Sequence, residues 1–494
     1  MKLFKRIPIL ATLIFSMCLT GCIDSFRLAQ LAAKKNGESG EEQDGGIISV
    51  SVLEKIQEKY NYLNWSYLGD PVTISLDHWD DNGAATEKAI VNSLLAGFTR
   101  RYPTIKVKVA YNHDYENTYG NVIFADSCAD VFLVPDGAFS NWGATGKLYN
   151  IQGLIDSSSI LSNLNDVFPT ALTRYQLNAA KRAGSGEQLA LPKDIGPHVM
   201  YYNKDIFDEL SIEYPTSERI LSMTEATSLW QEIMIKSNNK YYGTVGLSVE
   251  GLVWSAGGDF LDAERNAFPT DTEGLKTGYN YIRDAYYKYT NDGLGIMPSS
   301  STIGAKEPLT VFTEKTAATL CGERSQVTAL RSASFRWGVA YIPAFDVEHD
   351  GITRAEQTKN CYSGSVGYGM FKNMPQSHFE AAWKFLEYVA SEEGQEILSS
   401  TGYQIPIYKT LALSNDVVQR EIENGLPFEE YNVFIQSAQN QPYGLWQYRA
   451  SITWKNRTYD KYSEEFLHSD QAHRDAYPVE KFLSDVKKDI GSYL

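Results

Sequence analysis

Val72-Thr73-Ile74-Ser75-Leu76 alternates apolar and polar residues with the period of a half-buried strand. It runs into the loop Asp77-His78-Trp79-Asp80-Asp81-Asn82-Gly83. Ile90, Val91, Leu94, Leu95 and Phe98 then share one helical face, and that helix must stop before Pro103. Ile105, Val107 and Val109 restore the alternation, a helix is expected over 116–126, and Val131-Phe132-Leu133-Val134 reads as a strand buried on both faces. Strands alternating with helices of this length predict a parallel sheet covered on both sides.

Outward from this unit the pattern resumes after a crossing at 189–202. Helices are expected at 225–235 and at 272–289, where Leu275, Tyr279, Ile282 and Tyr286 share a face. A strand is expected at 337–343, consecutive helices at 380–389 and 391–400, and a mostly helical, aromatic-rich stretch after 412. No internal repeat is present. The economical fold is two α/β lobes joined by more than one crossing.

At the N-terminus, Lys2, Lys5 and Arg6 precede an apolar run from Ile7 to Leu19, too short to span a bilayer. The run ends in Leu19-Thr20-Gly21-Cys22, which resembles the lipobox of bacterial lipoproteins. That resemblance implies a signal peptide over 1–21 and lipidation of Cys22, with the body held outside the cell on the outer face of the cytoplasmic membrane. The alternative is an ordinary secretory signal with a chance cysteine. Residues 22–70 are expected to hold the lipidated cysteine, a flexible tether centred on Asn36-Gly37-Glu38-Ser39-Gly40-Glu41-Glu42 and a short helix.

A formal charge of -16 argues against nucleic acid or an anionic bilayer surface as a partner, and loss of the basic leader makes the body more acidic still. Cys128, Cys321 and Cys361 are too few and too scattered for a disulfide framework; buried free thiols or a Cys321–Cys361 bridge are the readings. Enzyme signatures are thin. There is no Gly-x-Ser-x-Gly elbow, Gly143-Ala144-Thr145-Gly146-Lys147 lacks P-loop spacing, and the seven histidines show no metal-ligand spacing. Asp262-Ala263-Glu264-Arg265-Asn266 is a poor calcium loop without the required Gly and terminal Glu. No cofactor and no metal is expected.

Further landmarks stand in order: Ala129-Asp130-Val131 and Gly143 to Leu148; Leu191-Pro192-Lys193-Asp194 with Tyr201-Tyr202-Asn203-Lys204-Asp205-Ile206-Phe207; Gly257-Gly258-Asp259; Phe312 to Gly322; Ser363-Gly364-Ser365-Val366-Gly367; and Ala382-Trp383-Lys384-Phe385-Leu386, with Gly402 and Pro406 behind. Over residues 70–412 this series resembles the family 1 extracellular solute-binding proteins of bacterial ABC importers, the group of maltose-binding protein. It departs from them at Met223-Thr224, which lacks the usual Trp, and at Lys315-Thr316 in place of Gly-Lys. The resemblance implies a periplasmic-binding-protein-like fold of class II type: two lobes, each a mostly parallel sheet flanked by helices, with three hinge crossings. The N-terminal lobe would comprise 71–190 plus 370–412, and the C-terminal lobe 191–369 plus 413–494.

It further implies a monomeric receptor, not an enzyme, that captures a carbohydrate, an oligosaccharide in the first instance, between its lobes and delivers it to ABC permease subunits. In such a fold ligands bind outside the carboxyl ends of strands. Trp79 would stack on a sugar ring, with Asp80, Asp81 and Asn82 beside it to bond hydroxyls. Asp136 follows the third strand and Asp194 lies in the first crossing. Trp254, Glu323, Arg324, Tyr443 and Trp446 complete the expected site, each having core packing or internal pairing as its rival. The alternative functions are an extracellular carbohydrate-active hydrolase and a binder of a non-sugar solute.

Overall fold

The alternation at Val72 becomes β1 (Val72–Trp79), in which Ile74, Leu76 and His78 point inward. The computed structural model describes residues 48–80, 85–180, 182–264, 267–288, 295–345, 363–439, 458 and 461–490. β2 (Ile105–Asn112) pairs with β1 in parallel from Val72 opposite Ile105 to Trp79 opposite Asn112. β3 (Val131–Pro135), buried at all five positions, lies on the other side of β1. The helix Ala85–Arg101 covers the sheet with Ile90, Val91, Leu94 and Phe98 and ends before Pro103, as its pattern requires.

A small ribbon of β4 (Gln176–Leu177) and β5 (Glu187–Gln188) precedes β6 (Ala190–Pro192). The chain then leaves this sheet through β7 (Gly196–Pro197) to β8 (Val199–Asn203), β9 (Tyr242–Val245), β10 (Ala317–Gly322) and β11 (Trp337–Ala340). It returns through β12 (Ser363–Gly364), paired with β7, into β13 (Val366–Met370). The first sheet has the order β2-β1-β3-β13-β6 and the second β11-β8-β10-β9. Each is parallel except for one opposed strand, β13 in the first and β8 in the second. Those two are the first strands after a crossing, where the chain re-enters a sheet from the opposite end.

Sheet and core membership moves the expected lobe boundaries. Leu191 and Pro192 in β6, and Val366 to Gly369 in β13, belong to the first sheet, not the second lobe. The helices Phe379–Ala390 and Glu392–Ser399 pack into the first core, but Ile405, Ile407, Tyr408, Leu411 and Ala412 pack with Val199, Tyr201 and Leu320 of the second sheet. Val167, Phe168 and Ala171 of the first lobe pack into the same cluster, and Val167 bridges Tyr408, so residues 405–412 lie where the two lobes meet. Upstream, the helix Val50–Lys59 is docked: Leu53, Ile56 and Tyr60 enter the first core, and Gln57 donates to Glu393 at 2.9 Å.

In the second lobe, Ser222 and Glu225 form a reciprocal capping box that starts the helix Met223–Lys236 without the expected Trp. The Gly257-Gly258 landmark has a steric cause. A Cβ on Gly274 would sit 2.2 Å from the Gly258 nitrogen, so only paired glycines let the helices Val249–Ser255 and Glu273–Tyr287 meet there. Cys321 is a free thiol within this core, its pKa pushed up to about 12 by burial. No helix among the described residues is long and apolar enough to cross a membrane.

Gln395 fastens the first crossing to the third. Its amide donates to the Lys193 carbonyl at 3.1 Å, and its oxygen accepts from the Ile407 N–H at 2.9 Å. Gln395→Ala leaves both backbone groups unpaired in a dry interior, and chemical denaturation should report a loss of roughly 2 kcal/mol.

Candidate functional site

The carboxyl ends of β1 and β3, the crossings and the end of β10 converge on a cavity of about 340 Å³. Trp79, Glu87, Asp136 and Gly137 line it from the first lobe; Glu323, Arg324 and Ser325 line it from the second. Lys193 to Gly196, Gly364 to Val366, Tyr403 and Gln404 form its hinge wall, and Glu116 stands exposed at the rim. Three chain crossings thus meet at one surface of mixed polarity.

Trp79 is half-buried, and its neighbours are charged. Lys193 Nζ is ion-paired with Glu87 Oε1 in a fully buried contact, and His78 Nε2 lies 3.5 Å from the same oxygen. Burial pushes the Glu87 carboxyl up, but Lys193, His78 and the Trp79 indole N–H more than offset it and hold the group below its ordinary range. His78 Nδ1 lies 2.7 Å from the Trp79 carbonyl, which fixes the tautomer with that nitrogen as donor. Burial, helped by Lys193 and opposed by Glu87, holds the His78 pKa down at about 4.

Asp136 opens the helix Asp136–Ala144, and its N–H donates to the Ser365 carbonyl at 3.1 Å. Arg174, wholly buried behind the wall, donates to Asp136 Oδ2 at 2.8 Å. Burial pushes the Asp136 carboxyl up to about 7 against Arg174, with Glu116 and Asp194 adding like charge. Asp194 joins all three crossings: its Oδ1 accepts from the Val366 N–H at 3.1 Å and its Oδ2 from the Gln404 amide at 3.0 Å. Burial raises its pKa as well.

Of the residues expected from sequence, Trp79, Asp136, Asp194 and Glu323 come together here. Arg324 lines the cavity too, but its guanidinium turns inward, 2.7 Å from Glu421 and over the Phe434 ring, so neither Glu323 nor the cavity is its partner. Glu323 instead has His198 Nε2 at 3.5 Å, which keeps its carboxyl below the ordinary range. Asp80 does not line the cavity; its Oδ1 lies 3.4 Å from His113. Trp254 is a correction: it is 1 % exposed, packs edge-to-face on Phe260 in the second core and does not line the cavity. An aromatic before a Gly-Gly pair reads alike as platform or core, and here the close helix approach buries it. Asp81, Asn82, Tyr443, Trp446, Cys22 and Cys361 lie outside the described residues.

Glu87, Lys193, His78, Arg174 and Gln404 were missed. Lys193 was visible inside Leu191-Pro192-Lys193-Asp194, and a lysine between a strand end and a hinge aspartate is a usable signal. Glu87 carries none beyond its place in the first turn of a helix. Among the described residues no three His, Cys, Asp or Glu side chains are grouped to hold a metal ion. Glu264 of the poor calcium loop pairs with Arg182 at 2.6 Å.

Residues 93–424 match the family of bacterial extracellular solute-binding proteins, and the chain belongs to that family. No curated protein sequence matches it. In fold it is similar to the ABC substrate-binding protein Lmo0181 of Listeria monocytogenes, solved with cycloalternan (TM-score 0.67, 17% identity, covering 85% of this chain and 100% of that one). It is similar to maltose-bound MalE3 of T. maritima (0.63, 16%, 84% and 99%). It is also similar to UgpB of Mycobacterium tuberculosis in complex with glycerophosphocholine (0.67, 16%, 85% and 98%). At these identities the likeness is one of fold. The two-lobed α/β reading and the reading as an extracellular binder, not an enzyme, are borne out.

The two tryptophans should separate cleanly. Trp254→Ala empties a core position and costs about 3–5 kcal/mol in denaturant unfolding, whereas Trp79→Ala costs about 1 kcal/mol or less. The His78 imidazole should stay neutral in the folded protein until pH approaches 4, while the unfolded chain protonates near 6.5. Its effect on stability is therefore nil above about 6.5 and becomes an increasing loss as pH falls from there toward 4. NMR titration of the ring checks this; a midpoint near 6.5 contradicts it.

Proposed function

We propose that this protein is the capture subunit of a bacterial ABC importer, closing on a carbohydrate between its lobes and handing it to permease subunits. The observation that carries this reading is Trp79: a half-buried indole in a cavity that mixes apolar surface with hydrogen-bonding groups from both lobes and the hinge. A sugar ring has one apolar face for an aromatic platform and a rim of hydroxyls for carboxylate and amide partners. The similarity to proteins solved with cycloalternan and maltose supports the same reading. A phosphodiester, as in the glycerophosphocholine complex of UgpB, suits this cavity less well, because Lys193 and Arg324 are already paired with carboxylates.

The lobes we assign are 71–192 plus 366–404 and 193–365 plus 405–494, with the helix Val50–Lys59 docked on the first. The body is monomeric and tethered through lipidated Cys22, which Leu19-Thr20-Gly21-Cys22 supports.

Thermal-shift screening against mono- and oligosaccharides, with glycerophosphocholine included, tests the ligand class. A true ligand at one hundred times its Kd stabilises by about 2.7 kcal/mol. Calorimetry should then show Trp79→Ala weakening that ligand by roughly five- to hundredfold through lost stacking and apolar contact. Stabilisation by no saccharide would sink the carbohydrate reading, and hydrolysis of the sugar during titration would restore the enzyme. Separately, Cys22→Ser should release a folded body from the membrane fraction; retention at high salt contradicts the lipid anchor.

A further inference from the structure

We infer that the cleft selects its solute by charge, taking saccharides that carry an amino group ahead of neutral ones and excluding those that carry carboxylate or phosphate. This deepens the carbohydrate reading above and rests on it.

Both cations lining the cavity are engaged: Lys193 with Glu87, and Arg324 with Glu421, which lies behind the wall. Arg174, also behind the wall, is engaged with Asp136. The carboxylates outnumber them, since Glu116, Asp136, Asp194 and Glu323 line the cavity besides Glu87. Asp194 is held by neutral donors, the Val366 N–H and the Gln404 amide, and among the described residues no cation forms an ion pair with it.

A second observation points the same way. A carboxylate only accepts, so Gln404 must turn its NH₂ toward Asp194, which faces its oxygen elsewhere. Gln404 is 5 % exposed and lines the cavity, and its Oε1 has no hydrogen-bond partner among the described residues. A buried acceptor beside a carboxylate asks for a donor, and an ammonium group supplies several with the matching charge. Burial is the main cause of the raised Asp136 and Asp194 pKa values, and neighbouring carboxylates add a smaller repulsion that such a cation would relieve. An anion entering the same space would be desolvated beside like charges, and the one lining cation that keeps unpartnered nitrogens among the described residues, Arg324, is buried in its ion pair with Glu421.

The test is calorimetric titration of the wild-type protein, at low and high salt, with a neutral oligosaccharide that binds in the screen and with its 2-amino-2-deoxy and C6-carboxyl derivatives. The expected order is amino, neutral, carboxyl, with steps of about tenfold at low salt that shrink at high salt. Glu323→Gln, at an exposed position that leaves the core intact, should narrow the amino-to-neutral ratio several-fold at an unchanged melting temperature. A carboxyl derivative that binds as tightly as the neutral sugar overturns the inference, as does an amino derivative that binds no better. If no saccharide of any charge binds, the carbohydrate reading fails, and charge selection is then read with spermidine and citrate. A larger thermal shift with spermidine supports the selection, and an equal or larger shift with citrate overturns it.

Discussion

One buried carboxylate holds the architecture at its narrowest point. Asp194 sits in the first crossing, accepts a backbone N–H from the second at Val366 and a side-chain amide from the third at Gln404. Ser365 adds a bond from its hydroxyl to the Asp194 carbonyl at 2.7 Å. Three strands of chain that would otherwise bend independently are joined through one residue, with Gln395 repeating the device one layer deeper. The position of Asp136 depends on the same junction, because its N–H bonds the Ser365 carbonyl. In the proposed capture, lobe closure would turn about this cluster and carry the walls of the cavity with it.

Around that point two ion pairs are buried, Glu87 with Lys193 and Asp136 with Arg174. Pairs taken out of water gain little net stability, but losing one partner leaves the other charged in a dry site, at a cost of about 3–5 kcal/mol. Such pairs make the wall rigid, so in the proposed capture the side chains facing a solute need little reordering. The helix Val50–Lys59 reinforces the back of the same region. Arg101 and Gln57 both bond Glu393, and Lys59 reaches Glu396 at 2.7 Å and Asp416 at 2.5 Å.

Much of the fold was legible because it is written in period. Ile74 and Leu76, then Ile90, Leu94 and Phe98, then the run from Val131 to Val134, place strand, helix and strand where they are found. The lobe boundaries were less legible, since β6 and β13 carry the same buried apolar residues whichever sheet receives them, and only pairing decides. At the site, position after a strand pointed to Trp79 and Asp136, which the structure places on the cavity wall. Composition was a poor guide for Trp254 and Arg324, whose residue types serve equally well inside a core. Glu87 and His78 act through partners more than 100 and 9 residues away in sequence respectively, and such pairings have no local signature.

Small-angle scattering of the soluble Cys22→Ser protein, with and without saturating solute and beside an Asp194→Ala version, measures hinge closure about the Asp194 junction directly. The wild-type hinge should give a radius of gyration that falls on binding, and the variant a larger, more heterogeneous unliganded particle with weaker affinity. Solute bound at full stoichiometry with the radius unchanged, and identical curves for the two proteins, would contradict it.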